Sequence, residues 1–429
     1  MRSYTRTLLL LSALLLAGNT LLVLFADPLN LFGLARIQGV NAFKNTYSDY
    51  TRIAKPIQVE WTEPQRLVLG SSRAELGLRP GNPSWAAAHP GASFNGALSG
   101  ASIGELRDSL AHAIRTARPR SVVLGIDFFM FGAGKPGSYS YPQLLAGPQD
   151  GPISLAERRL EQLRLTLFSP AMSRASIRTL RKQKPIDDEF HPDGQRSNAR
   201  ELLKLMEDGY EGAFVRFEEG FSHSTWTACR DNRFGYGRSG DSTLERYQDM
   251  LRMARDAGVE LKIFISPIHA RLLETLDATQ LWPAFEQWKR DVVAATEAVN
   301  LEAPDKALLQ VVDFSGYHRY SEEPVPTAAR VEMRWYLDSS HYHERLGDLV
   351  LEQLFSGLRG EDGQFGVALS SDGLDRHLGL IREARDRYRA ANAGQYDKLA
   401  AIAREQLAQR QRSGEQCRYP GNLPAATTL

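Results

Sequence analysis

The chain has 429 residues, 42% hydrophobic and 24% charged, enough apolar material for one large domain with insertions or for two domains. Its 52 Lys+Arg against 51 Asp+Glu leave a formal charge of +1, which gives no electrostatic reason to expect nucleic-acid binding, since that rests on a concentrated basic surface. The two cysteines, Cys229 and Cys417, form no metal-ligand pattern, there is no His-rich cluster, and no cofactor is implied. In an oxidising compartment the two can pair; two unrelated thiols are the alternative.

Arg2 and Arg6 precede an almost unbroken apolar stretch from Thr7 to Ala26. A helix of ~20 residues crosses the ~30 Å hydrocarbon core of a bilayer. Leu15 with Ala17, or Ala17 with Asn19, match a signal-peptide cleavage site poorly, so the stretch is expected to be an uncleaved anchor. The two arginines then keep residues 1–6 in the cytoplasm and send everything after Asp27 across the inner membrane, to the periplasmic or extracytoplasmic side.

Residues 27–64 read as a polar, irregular approach. An alternation of apolar runs and amphipathic segments follows, which predicts an α/β domain over 65–358 with a doubly wound parallel sheet of about five strands. The predicted strands lie in "RLVLG", "GASFNGA", "SVVLGIDFF", "VELKIFISP" and "ALLQVVDFSG". The predicted helices run from about Ile103 to Thr116, through "DSTLERYQDMLRMARDAG" and "PAFEQWKRDVVAATEAV", and along "HERLGDLVLEQLFSGL". About 131–239 is too long for a strand-to-helix connection and reads as an insertion or cap over the carboxyl edge of the sheet, with helical patches at Leu155–Leu167 and Ala199–Met206. Residues 359–429 form a helical extension, with charged stretches near Leu374–Ala391 and Tyr396–Arg410 read as solvated faces.

The first strand ends in Gly70-Ser71-Ser72-Arg73, where open α/β sheets put their ligands. A serine there becomes a nucleophile only beside a base, usually a histidine oriented by a carboxylate. Of nine histidines, two follow an aspartate by three residues: Asp188-x-x-His191 and Asp338-x-x-His341. The first pair lies in a polar loop of the insertion. The second stands after the last strand and directly before the closing helix, which brings it to the edge where Ser72 lies. Capping of that helix by Asp338 and Ser340 is the plainer alternative. His269 reads as a helix start, His318 and His343 as spare candidates, and Phe128, Phe129 and Met130 as core.

This arrangement resembles the SGNH (GDSL) hydrolase family: nucleophile on the first strand's exit turn, Asp-x-x-His before the last helix, flavodoxin-like alternation between. The resemblance implies Ser72 as nucleophile, Asp338 and His341 as its dyad, and Gly100 in "FNGALSGASIGEL" as a backbone oxyanion donor, with Gly347 in the helix that follows the dyad. Where the family expects Gly-x-Asn, this chain has Gly125-Ile126-Asp127, and an ionised Asp127 cannot donate; Asn95 is the candidate substitute. Arg73 is expected either to grip an anionic acceptor or to pair with Glu75. Anchor, first block and insertion resemble membrane-anchored envelope acyltransfer proteins of the alginate O-acetylation and teichoic acid D-alanylation kinds. That likeness implies an acyl donor, or a polytopic membrane-bound O-acyltransferase as partner, and a polysaccharide acceptor. Three functions stay open: an acyltransferase on an envelope glycan, an esterase or deacetylase on the same material, and a non-catalytic subunit of an acyltransfer or export complex.

Overall fold

The computed structural model describes residues 2–132, 137–147, 151–184, 190–222, 236–237, 239–328, 330–357 and 365–413. Cys229, Cys417 and Asp188 lie outside them. In chain order the first helices are α1 (Arg2–Ala26) and α2 (Thr51–Thr62), followed by β1 (Arg66–Leu69), α3 (Ser72–Gly77), α4 (Pro83–Ala88), β2 (Ser93–Asn95), α5 (Ile103–Thr116) and β3 (Ser121–Ile126). The insertion supplies α6 (Pro152–Leu167), α7 (Pro170–Arg181), α8 (Ala199–Asp208) and α9 (Tyr210–Gly220). Then come α10 (Thr243–Asp256), β4 (Glu260–Ile265), α11 (Ala270–Ala278), α12 (Trp282–Glu302), β5 (Val311–Asp313), α13 (Glu344–Ser356), β6 (Val367–Ala368), α14 (Ser371–Ala391) and α15 (Gln395–Ser413).

The strands form one mixed sheet in the order β2-β1-β3-β4-β5-β6. The first five are parallel; β6, two residues pairing antiparallel with β5, extends the expected five to six. Because β2 and β3 flank β1 on opposite sides, the chain reverses direction across the sheet there, and a crevice opens at the carboxyl ends of β1 and β3.

Strand residues alternate between two cores. Leu67, Leu69, Val122, Leu124, Ile126 and Ile263 face a layer built from α5, α10, α12 and α14. Val68, Val123 and Phe264 face α3, α4 and α13. Helix starts follow their sequence signals: Ser102 with Glu105 and Ser242 with Glu245 form reciprocal capping boxes on α5 and α10. At the end of β5, Asp313 is fully buried between Lys289 of α12 (2.6 Å) and His377 of α14 (2.9 Å).

Three expectations change. Residues 27–64 are not simply irregular, since α2 lies among them, buried over most of its length with Pro56 inside it. Lys55, Gln58 and Glu60 are buried there on hydrogen bonds and ion pairs, so the apolar pattern that marks a helix is broken. The extension is docked rather than solvated: Leu374, Leu378, Ile381 and Tyr388 join the core, and Leu399 and Ala403 of α15 are buried. The insertion divides, with α6 and α7 packed beside α1 and α2 and α9 of its second half reaching the carboxyl edge.

Candidate active site

The two serines of the β1 exit turn have separate partners. Gly70 lets the chain turn tightly, because a Cβ there would lie 2.6 Å from the Ala74 Cβ. Ser71 caps α3: its hydroxyl accepts the Arg73 N–H (3.2 Å) and donates to Asp127 Oδ2 (2.5 Å). Ser72, the first residue of α3, is half-buried, and its Oγ is 2.8 Å from His341 Nε2.

On the other side, Asp338 folds its own turn. Oδ1 accepts the backbone N–H groups of Ser340 (2.7 Å) and His341 (2.8 Å), and Oδ2 lies 2.8 Å from His341 Nδ1. An ionised carboxylate only accepts, so that Nδ1 carries the proton and Nε2 presents its lone pair to the Ser72 hydroxyl. The helix cap for α13 comes from His343, whose Nδ1 accepts the Arg345 N–H, so Asp338 and Ser340 do not cap it.

What joins the two halves is a close helix crossing. A Cβ on Gly347 of α13 would strike the Gly77 carbonyl of α3, and one on Gly77 would overlap the Tyr342 ring. Glycine at both positions lets α3 and α13 approach until Ser72 and His341 meet.

The remaining candidates fall into place differently. Arg73 is buried and turns inward, forming an ion pair with Asp127 (2.6 Å) and donating from Nε to the Ser340 carbonyl (3.1 Å). It does not pair with Glu75, whose partner is Lys55 (2.9 Å). Asp127 is an acceptor for Ser71 and Arg73, and so braces both ends of the site. Asn95 is fully buried, donating to the Ala74 and Leu78 carbonyls and accepting the Ala97 N–H, so its amide is committed to the α3 turn rather than to an oxyanion. Gly100 is exposed with φ +68°, in the turn between β2 and α5.

His269 starts α11: Nδ1 accepts the Arg271 N–H and Nε2–H donates to the Glu323 carbonyl (2.8 Å). Complete burial holds its pKa down to about 3. His318 likewise bridges the Ser321 N–H and the Phe314 carbonyl. His191 lies in a backbone turn with Gln195 and Gly194. Phe128 and Met130 are core residues, while Phe129 lies under the Arg73 guanidinium.

The site also holds residues that sequence reasoning did not single out. Phe217 of α9 meets the His341 ring edge-on, with centroids 5.0 Å apart. Phe221, just beyond α9, packs on Phe129. Periodicity marks both as ordinary apolar positions; only the folded insertion brings them here. Among the described residues no cluster of three or more His, Cys, Asp and Glu is placed to hold a metal ion. A cavity of about 830 Å³ opens at the opposite edge of the sheet, beside Val259, Lys262 and Gln310.

No protein-family model and no curated protein matches this chain.

Proposed function

We propose that the protein is a membrane-anchored serine acyltransferase of SGNH type, working on the extracytoplasmic side and moving an acyl group, most simply acetyl, onto a hydroxyl of an envelope or exported polysaccharide. The observation that carries this is the continuous relay from Ser72 Oγ through the His341 imidazole to Asp338, with both bonds at 2.8 Å. Its position at the crevice beside β1 and β3 and the strand order β2-β1-β3-β4-β5, which is flavodoxin-like, support the same reading.

In the first step Ser72 Oγ attacks the acyl carbonyl as its proton passes to His341 Nε2, and Asp338 stabilises the imidazolium. Backbone N–H groups of Ser72 and Gly100 receive the developing oxyanion. Collapse breaks the bond to the donor, whose leaving oxygen takes the proton from His341. In the second step a sugar hydroxyl gives its proton to His341 and attacks the acyl-Ser72 ester, releasing the acylated glycan and the free serine. Phe217, against the imidazole, limits the approach of water, which favours transfer over hydrolysis.

The length and composition of α1 support the anchor. Among the described residues one helix, Tyr4–Ala26, is long and apolar enough to cross a membrane. Its last turn is tied to the domain, with the Phe25 carbonyl accepting from Asn41 and the Ala26 carbonyl from Lys44.

The test is labelling of the full chain by a fluorophosphonate, followed by incubation with an acetyl donor and defined oligosaccharides. Labelling that vanishes in Ser72→Ala and His341→Ala supports the covalent step; a folded wild type that does not label overturns it and leaves the non-catalytic role. Mass gained on the sugar supports transfer, whereas free acid alone assigns the site to an esterase.

A further inference from the structure

Helix α6 has its burial inverted. Arg158, Gln162 and Thr166 are 7%, 3% and 5% exposed, whereas Ile153 and Leu160 are 76% and 67% exposed. The polar face turns inward onto α2, where Glu60 receives Gln162 (2.9 Å) and Arg159 (2.8 Å). The outward face carries Ile153, Ala156, Leu160 and Leu163, a helical repeat of three and four residues interrupted by the exposed Glu157 and Arg164, and continues into the exposed Phe168 and Ile177. Water is the wrong solvent for such a face.

The position of α1 says what the right one is. Residues 4–18 of α1 are exposed along their whole length. At 1.5 Å per residue these fifteen residues cover only about 22 Å of a ~30 Å hydrocarbon core. The last two turns of α1 must complete the crossing, and those turns are packed on α6 and α7. Asn19 donates to the Leu167 carbonyl (3.0 Å) and accepts from Ser173 (2.5 Å), while Val23 is buried with Leu167, Met172 and Ala175. The junction of α6 and α7 therefore lies beside a part of α1 that is below the bilayer surface. Both helices are rich in arginine, and five of their six, Arg159, Arg164, Arg174, Arg178 and Arg181, are exposed, against two glutamates in all, the composition of an interfacial segment facing anionic headgroups. Arg164, on the outward face, is paired with Glu161, which sets the depth at the headgroup boundary rather than in the hydrocarbon.

We infer that α6 and α7 form a hairpin seated in the outer leaflet of the membrane that α1 crosses, with Leu160, Leu163 and Phe168 among the acyl chains and the five exposed arginines at the headgroups. The inference rests on the anchoring role of α1. It makes the protein a two-point membrane binder whose domain is held in one orientation, rather than a domain swinging on a tether.

The experiment uses the full chain with both cysteines replaced by serine, reconstituted in vesicles of phosphatidylethanolamine and phosphatidylglycerol. Some of the lipids carry bromines high on their acyl chains. An environment-sensitive fluorophore is attached at Leu160→Cys or Phe168→Cys, at Leu10→Cys within α1, and at Leu301→Cys, an exposed apolar site at the end of α12. Quenching at 160 and 168 well above that at 301, with blue-shifted emission, is the expected result. Quenching at 10 but not at 160 or 168 overturns the hairpin while leaving the anchor intact, and a shift appearing only with an added membrane protein gives the face to a protein partner instead. No quenching at 10 removes the anchor and the hairpin together.

Discussion

Asp127 and Arg73 form a buried ion pair immediately behind the Ser72 turn, with Asp127 also holding the Ser71 hydroxyl. Both side chains are almost wholly buried, so each is tolerable only because the other is present. Asp127→Asn leaves the guanidinium uncompensated, and the cost is expected to be about 3 kcal/mol, the lower end for breaking such a pair. Chemical unfolding of the full chain in detergent checks this. Adding Arg73→Met should recover part of the loss, and Ser72→Ala alone should shift stability by less than about 1 kcal/mol. A stable Asp127→Asn would mean that the pair does not brace the turn.

The crossing of α3 and α13 has no room for a methyl group at Gly347, because the obstacle is the Gly77 carbonyl. Gly347→Ala should destabilise by about 1–3 kcal/mol through overpacking. A forced displacement near 1 Å at this crossing should also lower the rate of Ser72 labelling by roughly 10²-fold. Labelling at the wild-type rate would show that the crossing does not set the Ser72–His341 distance.

Phe217 reaches His341 from the insertion, and an edge-on ring pair of this kind is worth about 0.5–1.5 kcal/mol. Phe217→Ala should therefore change the labelling rate by no more than about tenfold. Its larger effect should be on the fate of the acyl-enzyme, shifting product from acylated sugar toward free acid. An unchanged ratio of the two products would remove Phe217 from water exclusion.

Much of this was readable in advance for a physical reason. The runs "RLVLG" and "SVVLGIDFF" are apolar almost throughout because β1 and β3 are buried on both faces, and Asp338-x-x-His341 stands out because a polar dyad precedes an amphipathic helix. The environments of Asn95, Arg73 and Asp127 were not readable, since a polar residue at a strand end carries no mark of whether it faces a ligand or a neighbouring carbonyl. Helix α2 was hidden by Pro56 and by the buried polar residues that serve Glu75 and Glu60's partners. In α6 the apolar repeat was visible but not its direction, because inward and outward faces look alike until something is packed against one of them.

His269 offers a test of burial at the edge of the site. Its pKa is held down to about 3 by burial, against an ordinary 6.5, so the folded protein keeps it neutral where the unfolded chain takes up a proton. Stability from this group is present above 6.5 and is lost as the pH falls toward 3, by about 1.4 kcal/mol for each pH unit. His269→Asn keeps a capping side chain on α11 but removes the titrating ring, so its stability should start about 1–2 kcal/mol lower at neutral pH. The two stability curves should converge and then cross, roughly one to one and a half pH units below 6.5, as the pH drops through that window. Curves that run parallel would show that His269 is not held neutral.

The Gly100 turn is held from behind by α2. Lys55 Nζ donates to the Ala97 carbonyl (2.5 Å), and across the same planar peptide the Leu98 N–H points the other way, onto the Gly70 carbonyl in the nucleophile turn (3.0 Å). Arg52 makes the equivalent contact two peptides on, donating to the Ser99 carbonyl (3.1 Å), and by the same trans geometry the Gly100 N–H is turned away from α2. In the proposed mechanism Arg52 is thus a positioning residue for the Gly100 donor. Arg52→Ala releases the Ser99–Gly100 peptide, and the expected drop in labelling rate is about tenfold, short of the 10²–10³ for complete loss of an oxyanion donor. Arg52→Lys should fall between, because it keeps the charge beside Glu105 but not the forked donor geometry. Stopped-flow labelling of the three proteins decides it, and equal rates would detach Gly100 from the chemistry.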